Sequence, residues 1–202
     1  MDLRHAGYEP WVGESFGAAT ELGSKRLLLV GESHYLYADE MRYDTPDLTR
    51  GVVDDIRTGR QSYPFFTKIR GLVTAAGGLP ELSLQEFWDS VAFINFVPHS
   101  LVERGDRPSE ELWQAASDRF VPGVLDVEPH RVLVVAKGVW DRIRFPKEWT
   151  STPSPAFGVE HIRDWQSPSG TPIRATWTRH PQYQRGWSQE EWLPRVEALL
   201  QE

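Results

Sequence analysis

Apolar positions in this chain gather into four short runs, separated by longer stretches that carry helical spacing. The first run is Leu27-Leu28-Leu29-Val30, and it stops at Gly31. An uninterrupted run of this length, closed by glycine, predicts a strand buried on both faces, as in a parallel sheet covered by helices. The second run, 91–98, reads V-A-F-I-N-F-V-P, with Asn95 as its single polar member. The third, 131–138, reads R-V-L-V-V-A-K-G, and the fourth, 173–178, ends at Arg179-His180-Pro181.

Between the runs the period changes. Ser62-Tyr63-Pro64 opens an amphipathic helix on which Phe65, Phe66, Ile69, Leu72 and Val73 share a face, and Gly77-Gly78 closes it. Residues 52–57 predict a weaker helix, and Leu84, Phe87 and Trp88 a further helical turn. Pro108-Ser109-Glu110-Glu111 starts a helix running to about 121, and helix-compatible residues follow the third run to about 143. Ser188 followed by Glu191 is a capping-box pattern opening a last helix to about 200. Residues 146–170 are rich in Pro, Ser and Thr and read as a long loop with a short edge strand at 158–162. Residues 1–24 hold Tyr8, Trp11 and Phe16 without a period and read as a packed arm. Every gap between strands exceeds the dozen or so residues that a parallel crossover needs. The expectation is an α/β fold: a three-layer αβα sandwich with a central, mostly parallel four-stranded sheet, in a single domain over 1–202.

Composition narrows the chemistry. The chain has no cysteine, which excludes disulfides, thiolate zinc sites, iron–sulfur clusters and cysteine nucleophiles. No apolar stretch approaches the roughly 18 residues of a membrane span, and the N-terminus has no signal-peptide pattern. The expectation is a cytoplasmic monomer without membrane, cofactor or metal. A net charge of −7 argues against a broad nucleic-acid footprint, although Arg163, Arg174, Arg179 and Arg185 gather late in the chain. The acidic run 39–55 reads as a solvated face.

Candidate chemistry sits at the strand ends, where open α/β sheets bind ligands. Gly31 allows a sharp turn or a close approach to a ligand, and Glu32, Ser33, His34 and Tyr35 follow it. If the sheet is parallel, these residues share an edge with Asn95 and His180, and Phe65 opens the helix beside them. Each has a plain reading too. Glu32 suits a first helical turn, Phe65 suits a core, and Ser33, His34 and Tyr35 can satisfy local backbone groups. Asn95 in an apolar strand needs partners or costs about 1–3 kcal/mol, so it either bonds within the fold or meets a ligand.

The ordered set resembles the uracil-DNA glycosylase superfamily over most of 25–190. Gly31-Glu32-Ser33-His34-Tyr35 resembles that family's first motif, G-E-A-P-G in one branch and G-Q-D-P-Y in another. Tyr63-Pro64-Phe65-Phe66 is similar to its P-F pair, Asn95 with Pro98 to its base-reading asparagine run, and His180-Pro181 to its closing H-P. The resemblance implies that Glu32 orients the attacking water and His180 stabilises charge on the departing base. It further implies that Phe65 stacks on the base, Asn95 reads its edge, Ser33 and Tyr35 line its site, and Tyr183 or Arg185 contacts DNA as wedge or phosphate clamp. The implied partner is single-stranded or damaged duplex DNA. Ser33 stands where one branch has its aspartate, and His34 replaces a proline. Two rivals follow from these departures: a silent base- or nucleic-acid-binding relative, and a G-D-S-type serine esterase using Ser33 and His180.

Overall fold

The computed structural model describes residues 7–102, 106–144, 150–153, 162–167, 169–181 and 187–201. It is an α/β fold. In chain order the strands are β1 (Trp11–Val12), β2 (Leu27–Gly31), β3 (Ala92–Asn95), β4 (Arg131–Val134), β5 (Thr150–Pro153), β6 (Ile162–Gln166) and β7 (Pro172–Trp177). The helices are α1 (Leu48–Arg57), α2 (Pro64–Ala76), α3 (Leu84–Ser90), α4 (Glu110–Val127), α5 (Lys137–Trp140) and α6 (Gln189–Leu200).

The strands form one sheet in the order β1-β3-β2-β4-β7-β6-β5. The four strands read from the apolar runs are its centre, and β3, β2, β4 and β7 pair in parallel. The expected four-stranded sheet is nevertheless too narrow: β1 adds antiparallel to β3, and β6 and β5 add antiparallel beyond β7. These extra strands escape the apolar signal because they are short or lie outside the centre. β1 has two residues within the arm, and β6 carries Arg163 and Asp164 between its buried Ile162 and Trp165. The edge strand expected at 158–162 begins at Ile162 instead, and 158–161 lie outside the described residues.

Leu27, Leu28, Leu29 and Val30 are wholly buried, as a strand covered on both faces requires. The second run leaves the sheet early, at Asn95, and 96–101 continue beside the segment after β2. α2 begins at Pro64, in the first-turn position where its missing N–H costs nothing. Its buried Phe65, Phe66, Ile69, Leu72 and Val73 are the face the spacing predicted. α2 packs on α6, and α6 packs on β4 and β7. α4 runs past the expected end at 121, through Pro122, to Val127. Buried Val121, Val124 and Val127 hold that last stretch in place. α3 has a full capping box between Ser83 and Glu86, whereas at α6 Ser188 accepts from the Glu191 N–H and the Glu191 carboxylate faces Arg179.

Candidate functional site

Parallel register aligns the strand ends. Gly31 lies opposite Asn95, Val30 opposite Val134, and Val134 opposite Trp177. Past the sheet the chain keeps the β2–β3 alignment in looser form. The Phe96 and Val97 N–H groups donate to the Gly31 and Glu32 carbonyls (3.0 and 2.9 Å), and Leu101 N–H donates to the His34 carbonyl (2.9 Å). The polar segment after Gly31 is therefore held as an extension of the sheet edge.

Gly31 has a specific job there. A Cβ on it would lie 2.3 Å from Asn95 Oδ1 and 3.1 Å from Phe93 Cζ. The glycine makes room for the asparagine side chain, a neighbour across the ladder, rather than for a ligand as the sequence suggested.

Against this edge lies a cavity of about 310 Å³, at the small end of the range for small-molecule sites. Glu32, Ser33, Tyr35, Phe65, Asn95 and His180, the six described candidates, all line it. Tyr183 and Arg185 lie outside the described residues. His34, part of the candidate stretch after Gly31, lines the cavity as well, and so do Tyr37, Glu40 and Tyr63, which were not expected as site residues, and the apolar Leu48, Val52 and Val102. Tyr63 was signalled by its place before Pro64. Tyr37 and Glu40 form a capping pair at the 3-10 segment Ala38–Tyr43, a pattern lost in the acidic run.

Asn95 makes no side-chain hydrogen bond among the described residues, and it is only partly buried. The amide thus faces the cavity edge without the internal partner that a purely structural role would supply. The Glu32 side chain is 13 % exposed, and burial raises its pKa above the ordinary carboxylate value, with Arg107 at 3.9 Å pulling the other way. Phe65 differs from the expected open stacking platform. It is 8 % exposed, and its ring is stacked on His180 at 4.9 Å and 29° while standing edge-on to Phe66. The most exposed rings at the cavity are Tyr37 and Tyr63, 58 % and 40 % exposed.

Both cavity histidines are neutral. Burial pushes His180 down to about 4, and His34 likewise, although Asp44 opposes the shift at His34. His34 is fixed from behind: its Nε2 meets Thr49 Oγ1 at 2.9 Å, and its ring stands edge-on to Tyr8. Tyr8, from the N-terminal arm, donates to the Asp44 carboxylate and hydrogen-bonds Ser100 Oγ. His180 is held through its neighbour, since Lys68 Nζ on α2 donates to the Pro181 carbonyl at 3.0 Å.

Ser33 Oγ is buried and has no hydrogen-bond partner among the described residues. An activated serine needs an imidazole within reach, and none is bonded to this one. No group of three or more His, Asp or Glu side chains among the described residues is placed to hold a metal ion. None of the described helices is long and apolar enough to cross a membrane.

Fold and cavity together define an α/β protein with a cavity of small-ligand size at the carboxyl edge of its parallel strands. Comparison of the chain with known protein families and with curated proteins finds no match.

Proposed function

We propose that this chain binds a single base extruded from DNA and hydrolyses its N-glycosidic bond, as a divergent, cysteine-free relative of the uracil-DNA glycosylases. The observation that carries the reading is convergence: Glu32, Phe65, Asn95 and His180 come from four separate segments and line one cavity. On this reading α4 and the α2–α6 pair belong to opposite outer layers of a three-layer sandwich.

The roles follow from the chemistry of each group. Breaking the bond between C1′ and the base nitrogen puts positive charge on the sugar and sends the bonding electrons to the base. Glu32 faces the sugar, stabilises that positive charge and accepts a proton from the water that adds to C1′. Asn95 offers a donor and an acceptor together to the base edge. His180, as a neutral imidazole, donates an N–H to a base carbonyl. A base must leave the duplex stack to reach such a site.

An excision assay tests the reading, using oligonucleotides that carry uracil, hypoxanthine, xanthine or a mismatch. Release of one of these bases is expected, with Glu32→Gln and Asn95→Ala each slowing it by about a hundredfold or more. Wild-type rates in both variants would place the chemistry elsewhere.

A second reading, binding without cleavage, is favoured by the stack of His180 on Phe65, which occupies the ring expected to carry the base. It predicts saturable binding of base-modified oligonucleotides and no base release from any of them.

A further inference from the structure

The charge of the cavity wall is one-sided. Glu32 and Glu40 both line it, and among the described residues no lysine or arginine does. Arg107 approaches Glu32 from outside, at 3.9 Å, with its side chain 83 % exposed. Glu40 is fixed in place by accepting the Tyr37 backbone N–H at 2.9 Å. The two histidines add no positive charge, because burial keeps them neutral down to about pH 4. Around these carboxylates stand π faces, with Tyr37 and Tyr63 the most exposed of them. Carboxylates with aromatic faces attract an organic cation, and they repel a phosphate.

We propose that the cavity selects a base that carries a positive charge, an N-alkylated purine or pyrimidine, over its neutral counterpart. The proposal rests on the reading of the site as a base pocket and names the class of base it takes. The chemistry of departure agrees with the wall. When a neutral uracil leaves, the C1′–N electron pair stays on the ring and makes an anion, which a site with two carboxylates disfavours. When an alkylated, cationic base leaves, the same pair cancels the ring's charge and a neutral molecule departs. Water oxygen bonds to C1′, and the water's proton passes to Glu32. One cation and one water thus give a neutral base, a sugar hydroxyl and a proton. No protonated acid is required, in keeping with the uncharged histidines. The Asn95 amide supplies a neutral contact to the ring edge.

The test is a fluorescence titration of the full chain at neutral pH with 1-methyladenosine, which is cationic there, against adenosine. A second pair, 3-methylcytidine against cytidine, controls for ring size. The methylated nucleoside of each pair is expected to bind about tenfold more tightly. Glu32→Gln and Glu40→Gln are each expected to remove most of that preference, with circular dichroism checking that each variant is folded. Equal affinity within the pairs, preference for the neutral member, or no binding of any of the four overturns the proposal. Base release from methylated and uracil-containing oligonucleotides then separates the two claims. Release of uracil alone sinks this inference and keeps the excision reading; preferential binding of the cations with no release does the reverse.

Discussion

Gly31 and Asn95 are a coupled pair, since the missing Cβ of one is the space occupied by the side chain of the other. Gly31→Ala is expected to displace the Asn95 amide, with a stability loss of about 1–3 kcal/mol in urea unfolding and a larger loss of ligand affinity. Wild-type affinity in that variant would show that the amide position is not critical. His34 and His180 give a pH signature whose sign can be worked out. Each is held near 4 in the fold, against 6.5 as the ordinary value. The unfolded chain therefore takes up protons first, and stability present above pH 6.5 is lost as pH falls from 6.5 toward 4. By pH 5 the loss is about 2 kcal/mol per group. Urea midpoints at pH 7 and pH 5 measure it, and His34→Gln should remove one share. A flat profile in the native protein would contradict the burial account. At this scale the sequence named Glu32, Asn95 and His180 because polar residues at the ends of apolar runs have few other reasons to be there. It could not tell that Phe65 would be covered by an imidazole, because ring stacking between α2 and the end of β7 is a long-range outcome.

Two elements fix the site's far wall. α2 contributes Phe65, and through Lys68 it holds the turn that carries His180. Lys68→Met removes the donor to the Pro181 carbonyl and keeps most of the aliphatic stem. The expected outcome is a several-fold loss of ligand affinity and a changed His180 titration by NMR, at nearly unchanged thermal stability. An unaltered His180 titration would show that Lys68 does not position it. β2, β3 and β4 were legible because buried parallel strands write continuous apolar runs, and β7 by its weaker alternation of Ile173, Ala175 and Trp177 with Arg174 and Thr176. β6 and β5 were not, since one sets two polar residues, Arg163 and Asp164, between its apolar ones and the other lies in a segment of Thr, Ser and Pro. α4 was foreshortened because Pro122 reads as a stop, whereas burial of Val124 and Val127 outweighs the lost backbone hydrogen bond.

On the scale of the whole molecule, the acidic balance bears on the proposed contact with DNA. A net charge of −7 leaves little general attraction for a phosphate backbone. Arg107 and Arg179 are exposed by 83 % and 52 %, and each meets a carboxylate only at 3.9 Å. Two phosphate contacts to single-stranded DNA correspond to a log–log salt slope of about −1.4. A slope near zero, or one several times steeper, would show that other cations or none are engaged. The proposed function needs one base to seat against the amide at the end of β3, and a feature of the composition makes that contact directly observable. Asn95 is the only asparagine in the chain, so asparagine-selective ¹⁵N labelling yields a single side-chain NH₂ pair. That pair is predicted to move in step with saturation when a base-modified oligonucleotide is titrated in, and to stay still when the same strand carries an abasic site. Absence of binding, or binding that saturates while the Asn95 pair does not move, would contradict the account.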